Sequence, residues 1–255
     1  MSYSEIVEDV RDKGFFTVDS VFTSAEVLNL REQLDEVNRQ SNLNVRSTQD
    51  LNMVHNCHEK SLDFLGAFEH PLIVSTLNEL LGHSYIIYAF QSSTLPPNAT
   101  NSARRIHCDS PRLIQDYITN VGVIIALNDY TQNSGSIEFM PYSFRIDKPP
   151  SDSEFVAKSK KVECREGSVI IFNARTFHRE GINMTQSIRH SLTCNFCRCY
   201  MRQRFDFVRM AQSSGSILAM TSHQRKLIGY NVRMPTSLDE FFLPDDQRMY
   251  LSGQE

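Results

Sequence analysis

GVIIALNDY (residues 122–130) and SVIIFNA (168–174) are the stretches on which the fold turns. Their continuous apolar runs are those expected of strands buried on both faces. Around them lie shorter β-prone runs divided by turn residues: SYIIYAFQSSTL (84–95), ARRIHCDS (103–110), SIEFMPYS (136–143), KKVEC (160–164), FHREG (177–181) and RHSLTCNFCRCY (189–200). About eight strands at such regular spacing mark an all-β sandwich or barrel rather than a βαβ fold.

The first 82 residues read mainly as helix. Ser4 can cap a helix over Glu5–Asp12. In TSAEVLNLREQLDEVNRQ (23–40), Val27, Leu30, Leu34 and Val37 recur at helical spacing behind a Ser24 cap. HPLIVSTLNELLGH (70–83) repeats the pattern, with Pro71 in the first turn and Gly82 as the stop. Helical patterns return after Tyr200. The expected fold is mainly β with flanking helices, a double-stranded β-helix (jelly roll, cupin-like) with helices packed on one sheet. No repeat or Gly/Ser linker marks a boundary, so the expectation is one domain over 1–255. It divides into a helical layer (1–84), a β core (85–200) and C-terminal helices with a tail (201–255).

The balance of 26 Lys+Arg against 30 Asp+Glu, with no basic block, gives no reason to expect a nucleic-acid partner. The acidic start MSYSEIVEDV lacks the form of a secretory signal and no stretch is apolar enough to span a membrane, which points to a cytoplasmic protein. The six cysteines are then expected as reduced thiols. CNFCRC (194–199) resembles a zinc knuckle, but no second Cys/His pair follows at zinc spacing.

Chemistry enters at RRIHCDSPR (104–112). On a strand, residues i and i+2 share a face, so His107 and Asp109 would converge while Cys108 points away. Alone the pair is a weak signal. His178 closes a later strand and supplies a third ligand. Two imidazoles and one carboxylate form a facial triad with open positions, suited to Fe(II). Arg189 follows eleven residues after His178. Facing into a barrel, its guanidinium needs an anion, and its planar fork fits a carboxylate. 2-Oxoglutarate meets both demands: its 2-oxo acid end chelates a metal, with O2 at the remaining position, and its distal carboxylate reaches Arg189. The competing reading of Arg189 is a strand cap in water.

These motifs resemble the phytanoyl-CoA hydroxylase-like family of Fe(II)/2-oxoglutarate dioxygenases. The resemblance rests on HCD (107–109), NSGSIEFMPYSF (133–144), EGSVIIF (166–172) and the spacing from His178 to Arg189, with DKGFFTVDSVFTSAEVLNLREQL (12–34) similar to the family's opening. It implies Fe(II), 2-oxoglutarate and O2 as cofactors, held by His107, Asp109, His178 and Arg189. It also implies a co-substrate role for Gln91, which can equally be an ordinary polar residue near a strand end. Two departures stand out. The family's PGSH segment is PYSF (141–144), and a position often held by a small hydroxyl residue is Glu180, which bears on the co-substrate pocket but not on the triad.

The implied reaction is oxidation of an unactivated C–H bond of a small metabolite, hydroxylation foremost, with succinate and CO2 as co-products and natural-product metabolism as the setting. With Asp109 in place, halogenation is not expected. Arg105, sharing the parity of His107 and Asp109, and Arg112 and Tyr117 beyond the turn are candidate substrate contacts, pointing to an anionic molecule. Tyr117, Phe139 and Phe196 offer a hydrophobic alternative. The reading from a different class is a cupin-like binding or regulatory protein without turnover. The sequence leaves the oligomeric state open.

Overall fold

The computed structural model describes residues 3–41, 52–244 and 247, so the last residues of the expected C-terminal segment lie outside the described residues. In chain order the elements are α1 (Tyr3–Asp12), β1 (Phe15–Val18), α2 (Ser24–Ser41), β2 (Met53–His55), α3 (Leu62–Gly66), α4 (Pro71–Leu81), β3 (Ile86–Leu95), β4 (Asn120–Ala126) and β5 (Glu138–Phe139). They continue with α5 (Asp152–Lys158), β6 (Lys160–Lys161), β7 (Val169–Asn173), β8 (His178–Arg179), β9 (Arg189–Cys197), α6 (Phe207–Ser214), α7 (Ser222–Leu227) and α8 (Leu238–Phe241).

The strands form a six-stranded antiparallel sheet, ordered β1-β7-β4-β9-β3-β2, and a three-stranded antiparallel sheet, β6-β5-β8. Two strands of the large sheet, β1 and β2, come from the region read as mainly helical. The ARRIHCDS run forms no regular strand: Ser102–Arg104 is a 3-10 turn, and His107 makes only an isolated bridge to His178.

Every residue of β4 is buried, and alternate residues serve different cores. Val121, Val123 and Ile125 pack into the cluster containing Leu30 and Leu34 of α2 and Ile73 and Leu77 of α4. Ile124 and Ala126 join Ile170, Phe172 and Phe139 between the sheets. This two-sided burial is why β4 and β7 read as unbroken apolar runs. The helix ends follow from local chemistry. Thr23, rather than Ser24, caps α2: its backbone N–H and hydroxyl donate to the Glu26 carboxylate, and the Glu26 N–H donates back to the hydroxyl. The α4 helix starts with the His70 imidazole accepting from the Leu72 N–H and ends at Gly82, whose φ is 82°. None of the described helices is long and apolar enough to cross a membrane.

Gly122 controls the inter-sheet core. A Cβ there would lie 2.1 Å from the Phe172 ring, which itself packs 5.1 Å from the His178 ring. Gly122→Ala should therefore displace Phe172 and cost about 1–3 kcal/mol of stability. A shift in the urea midpoint at unchanged slope would register it.

His58 is buried against Phe90 and Phe207, and among the described residues neither ring nitrogen has a hydrogen-bond partner, the Glu59 carboxylate standing 3.6 Å from Nε2. Burial pushes its pKa down to about 4 from 6.5. The unfolded chain thus binds a proton at His58 before the folded one does. The neutral-state contribution is fully present above about pH 6.5 and is lost as pH falls towards 4, reaching about 3 kcal/mol. Denaturation of wild type and His58→Leu at pH 7.5, 5 and 4 should show stability curves that converge or cross on acidification. Parallel curves would refute the assignment.

Candidate active site

Two segments far apart in sequence build the cluster by pairing their backbones. The His107 N–H donates to the His178 carbonyl (3.0 Å) and the His178 N–H to the His107 carbonyl (2.8 Å). The Asp109 and Ser110 N–H groups both donate to the Ala174 carbonyl. The bridge places the imidazoles 4.3 Å apart between ring centroids. Each ring is oriented by the same device: Nδ1–H donates to the carbonyl two residues earlier, from His107 to Arg105 (2.7 Å) and from His178 to Thr176 (2.9 Å). Both Nε2 lone pairs are left for the cluster. They stand 3.6 and 3.9 Å from Asp109 Oδ1.

All ligand atoms lie within 4.8 Å of one another, and among the described residues this is the His/Cys/Asp/Glu group that could hold a metal ion. His178 is buried, framed by Phe139 and Phe172. Burial, then the His107 charge, drives its pKa down to about 4, against the opposing pull of Asp109, so its imidazole is neutral near pH 7. The other Asp109 oxygen accepts from the Asn195 amide (3.2 Å), whose own oxygen accepts from Asn120 (3.0 Å). Asn195 is not among the residues expected from sequence, and strand parity from Arg189 along β9 is the signal that identifies it. All six cysteines are free, and CNFC runs along β9 with both Cys194 and Cys197 buried as thiols.

Arg189 starts β9 on the same face as Asn195 and is 1% exposed. Its guanidinium donates to the Tyr130 hydroxyl and to the Glu180 carboxylate, lies 3.5 Å from Ser93 Oγ and stacks 4.6 Å over the Tyr130 ring. It is a buried cation, not a strand cap in water. Its Nε has no partner among the described residues. Burial raises the pKa of the Glu180 carboxyl while the Arg189 charge pulls it down, and the carboxyl is near enough to His107 to feel that charge as well. Glu180 follows β8 directly, two residues after His178, and closes on Arg189. Gln91 pairs with Thr193 in the β3–β9 register, two residues from Ser93 and on the same sheet face.

The remaining candidates are scattered. Arg105 is exposed and contributes its carbonyl, because the 3-10 turn at 102–104 breaks the alternation that would have turned it inward. Arg104 faces Glu180 instead, donating to its carbonyl at 3.3 Å, and stands 3.9 Å from Glu138. Phe139 and Phe196 belong to different cores, so with Tyr117 they cannot line one hydrophobic pocket. Arg112 and Tyr117 do meet, in a cavity of about 580 Å³ walled by the segment that follows Asp109. No triad residue lines it. Its wall carries Arg11, Arg112, Arg145, Arg175 and Arg198 against the single acid Asp116. Arg175 is buried, bonded to the Ile146 and Asp147 carbonyls and to Cys108 Sγ, and its Nε is unpartnered. Arg198 donates to the Ile118, Leu81 and Leu80 carbonyls, beside the Tyr117 ring.

A loop and the short strand β8 bring together His, Asp and His with both Nε2 atoms free, a donor set that could hold one non-haem metal ion. The phytanoyl-CoA dioxygenase (PhyH) family profile matches residues 10–191, and the chain belongs to that family. It is 29% identical over 198 residues to the uncharacterised proteins Mb1539 of Mycobacterium bovis and Rv1501 of Mycobacterium tuberculosis, covering 75% of this chain and 71% of each of them. Solved structures of similar fold include AviO1 from Streptomyces viridochromogenes (TM-score 0.63, 17% identity, 77% of this chain and 95% of that one). SnoN, a non-haem alpha-ketoglutarate-dependent epimerase from nogalamycin biosynthesis, aligns with TM-score 0.62 and 20% identity over 76% of this chain and 80% of its own. EvdMO1 aligns with TM-score 0.63 and 18% identity over 76% of this chain, which spans half of EvdMO1's length. Family membership implies Fe(II), 2-oxoglutarate and O2 as cofactors and a small-molecule substrate. The triad fits the metal by donor type and tautomer. The arginine fits a carboxylate, but an internal one already meets it.

Proposed function

We propose that the chain is a hydroxylase: it oxidises an unactivated C–H bond of a small anionic metabolite, with 2-oxoglutarate and O2 giving succinate and CO2. The observation that carries the reading is the backbone-bridged triad with its two free Nε2 atoms, together with the buried Arg189 guanidinium on β9. His107, Asp109 and His178 would hold the iron, and Arg189 with Tyr130 would receive the distal carboxylate of the co-substrate. When bound, iron with the 2-oxo acid and O2 supplies the oxidising power. The protein's own residues do the positioning. Asn195 fixes the Asp109 carboxylate, while Phe139 and Phe172 hold the His178 ring and keep water from its buried side.

The anionic character of the substrate is supported by the cavity walled by the segment after Asp109. Five guanidinium groups and the single acid Asp116 line the wall, and among the described residues only Arg145 has a carboxylate partner outside it, Asp12 at 3.3 Å. Arg175 and Arg198 have their hydrogen bonds met chiefly by backbone carbonyls, which leave the positive charge unneutralised. Free thiols at all six cysteines accord with a cytoplasmic setting. Specialised metabolism, the setting of SnoN in nogalamycin biosynthesis, is the one we propose here.

The test is succinate release from anaerobically reconstituted Fe(II) protein on exposure to O2, 2-oxoglutarate and ascorbate, screened against small carboxylates, phosphates and neutral metabolites. Stimulation by an acidic compound whose product gains one oxygen supports hydroxylation of an anionic substrate. A product of unchanged mass or two hydrogens lighter replaces hydroxylation with epimerisation or desaturation. Absence of both iron retention and 2-oxoglutarate binding would leave a binding module.

A further inference from the structure

Arg189 is the group that a 2-oxo diacid would need, yet its fork is taken up from inside the protein. One arm meets Tyr130, the other meets Glu180, and both carboxylate and guanidinium are buried, with side chains 11% and 2% exposed. A second carboxylate cannot be added beside this pair without bringing two negative charges together in a site that holds one cation. We propose that Glu180 is an internal occupant of the distal-carboxylate site, so that 2-oxoglutarate binds by exchange with it and Glu180 sets which 2-oxo acids the protein accepts. This rests on the 2-oxoglutarate-dependent reading above and adds a selectivity residue to it.

The surroundings dictate how the exchange happens. The backbone at Glu180 is pinned: its N–H donates to the Ala103 carbonyl, and a Cβ on the next residue, Gly181, would lie 2.7 Å from the Ser136 carbonyl oxygen. Asn183 ties the following loop to the Leu95, Pro96 and Ser187 carbonyls. The loop therefore stays and the Glu180 side chain turns. Arg104, whose guanidinium touches the Glu180 carbonyl and is 38% exposed, is the cation towards which it can turn. A monoacid such as pyruvate makes no demand on Arg189 and can chelate a metal with the Glu180–Arg189 pair intact. The wild-type protein should consequently discriminate weakly between 2-oxoglutarate and pyruvate.

The experiment is calorimetric titration of 2-oxoglutarate and of pyruvate into full-length, Mn(II)-loaded protein in oxygen-free buffer, comparing wild type, Glu180→Ser and Glu180→Gln. Glu180→Ser should bind 2-oxoglutarate at least tenfold more tightly than wild type, with pyruvate unchanged within twofold. Glu180→Gln keeps the side chain's size and its hydrogen bond to Arg189 but loses the charge, so it should shift 2-oxoglutarate affinity in the same direction by a smaller factor. It serves as the test if Glu180→Ser does not fold. Equal or weaker 2-oxoglutarate binding in the variants than in wild type overturns the exchange and leaves the cofactor assignment standing. No 2-oxoglutarate binding by wild type or by either variant overturns both.

Discussion

Asp109→Ala protein, recharged with Co(II) after chelation, should retain metal at least a hundredfold more weakly than wild type while keeping its fold. Asp109 is the ligand to choose because its side chain is 27% exposed, so truncation opens no core cavity. His178→Ala would also lose metal, but it removes a buried ring packed on Phe139 and Phe172 and confounds the result with stability. Loss of one of three protein ligands exceeds the ten- to hundredfold usual for groups that only orient a ligand. Asn195→Leu, which removes the donor to Asp109, should fall in that lesser range. The check has a stability arm. Metal at about a hundred times its dissociation constant adds about 2.7 kcal/mol to the native state, or roughly 5–10 °C in a chain of this size. That thermal shift should be absent in Asp109→Ala. Equal shifts in the two proteins would remove Asp109 from the metal site.

Arg189→Met should be the most destabilising single change in the site, at about 3–5 kcal/mol. The substitution keeps the length of the side chain but leaves the Glu180 carboxylate buried without its cation, and the Tyr130 hydroxyl loses its donor. Most of the cost is the stranded charge rather than the value of the pair itself. Arg189→Met combined with Glu180→Gln should therefore recover much of the loss, a strongly non-additive cycle expected only of groups in direct contact. Urea denaturation of the four proteins at pH 7 measures it. If the double variant is as unstable as the sum of the singles, Glu180 and Arg189 are not paired.

Much of this site was legible before any coordinates. His178 and Arg189 belong to strands whose β character shows in their composition, while His107 and Asp109 were found by their HxD spacing although no strand forms there; two-sided burial of β4 and β7 explains the apolar runs that betray the sheet. Parity arguments succeeded where a strand exists and failed where it does not. Along β9, the step from Arg189 to Asn195 is an even number of residues on a continuous strand, so both face the site. Around His107 the alternation in RRIHCD looks the same on paper, but a 3-10 turn precedes it and Arg104, not Arg105, faces Glu180. Tyr130 could not be found from sequence because it reaches Arg189 through the packing of the fold. The α5 helix escaped notice because a single helical turn or two, Asp152–Lys158, with one buried residue, Phe155, carries too little periodicity to read. Glu180 was visible as a departure from the family pattern. That its carboxylate closes on Arg189 follows only from seeing the two strands together.

The mutual backbone hydrogen bonds between His107 and His178 carry a practical consequence for anyone handling the protein. Two of the three donors are held face to face by amide contacts that need no ion, so the chain should arrive at its iron with the binding shape already made. Stripping the protein with a chelator should then leave a reusable, folded receptacle, which can be refilled with spectroscopic or oxygen-inert ions as each measurement requires.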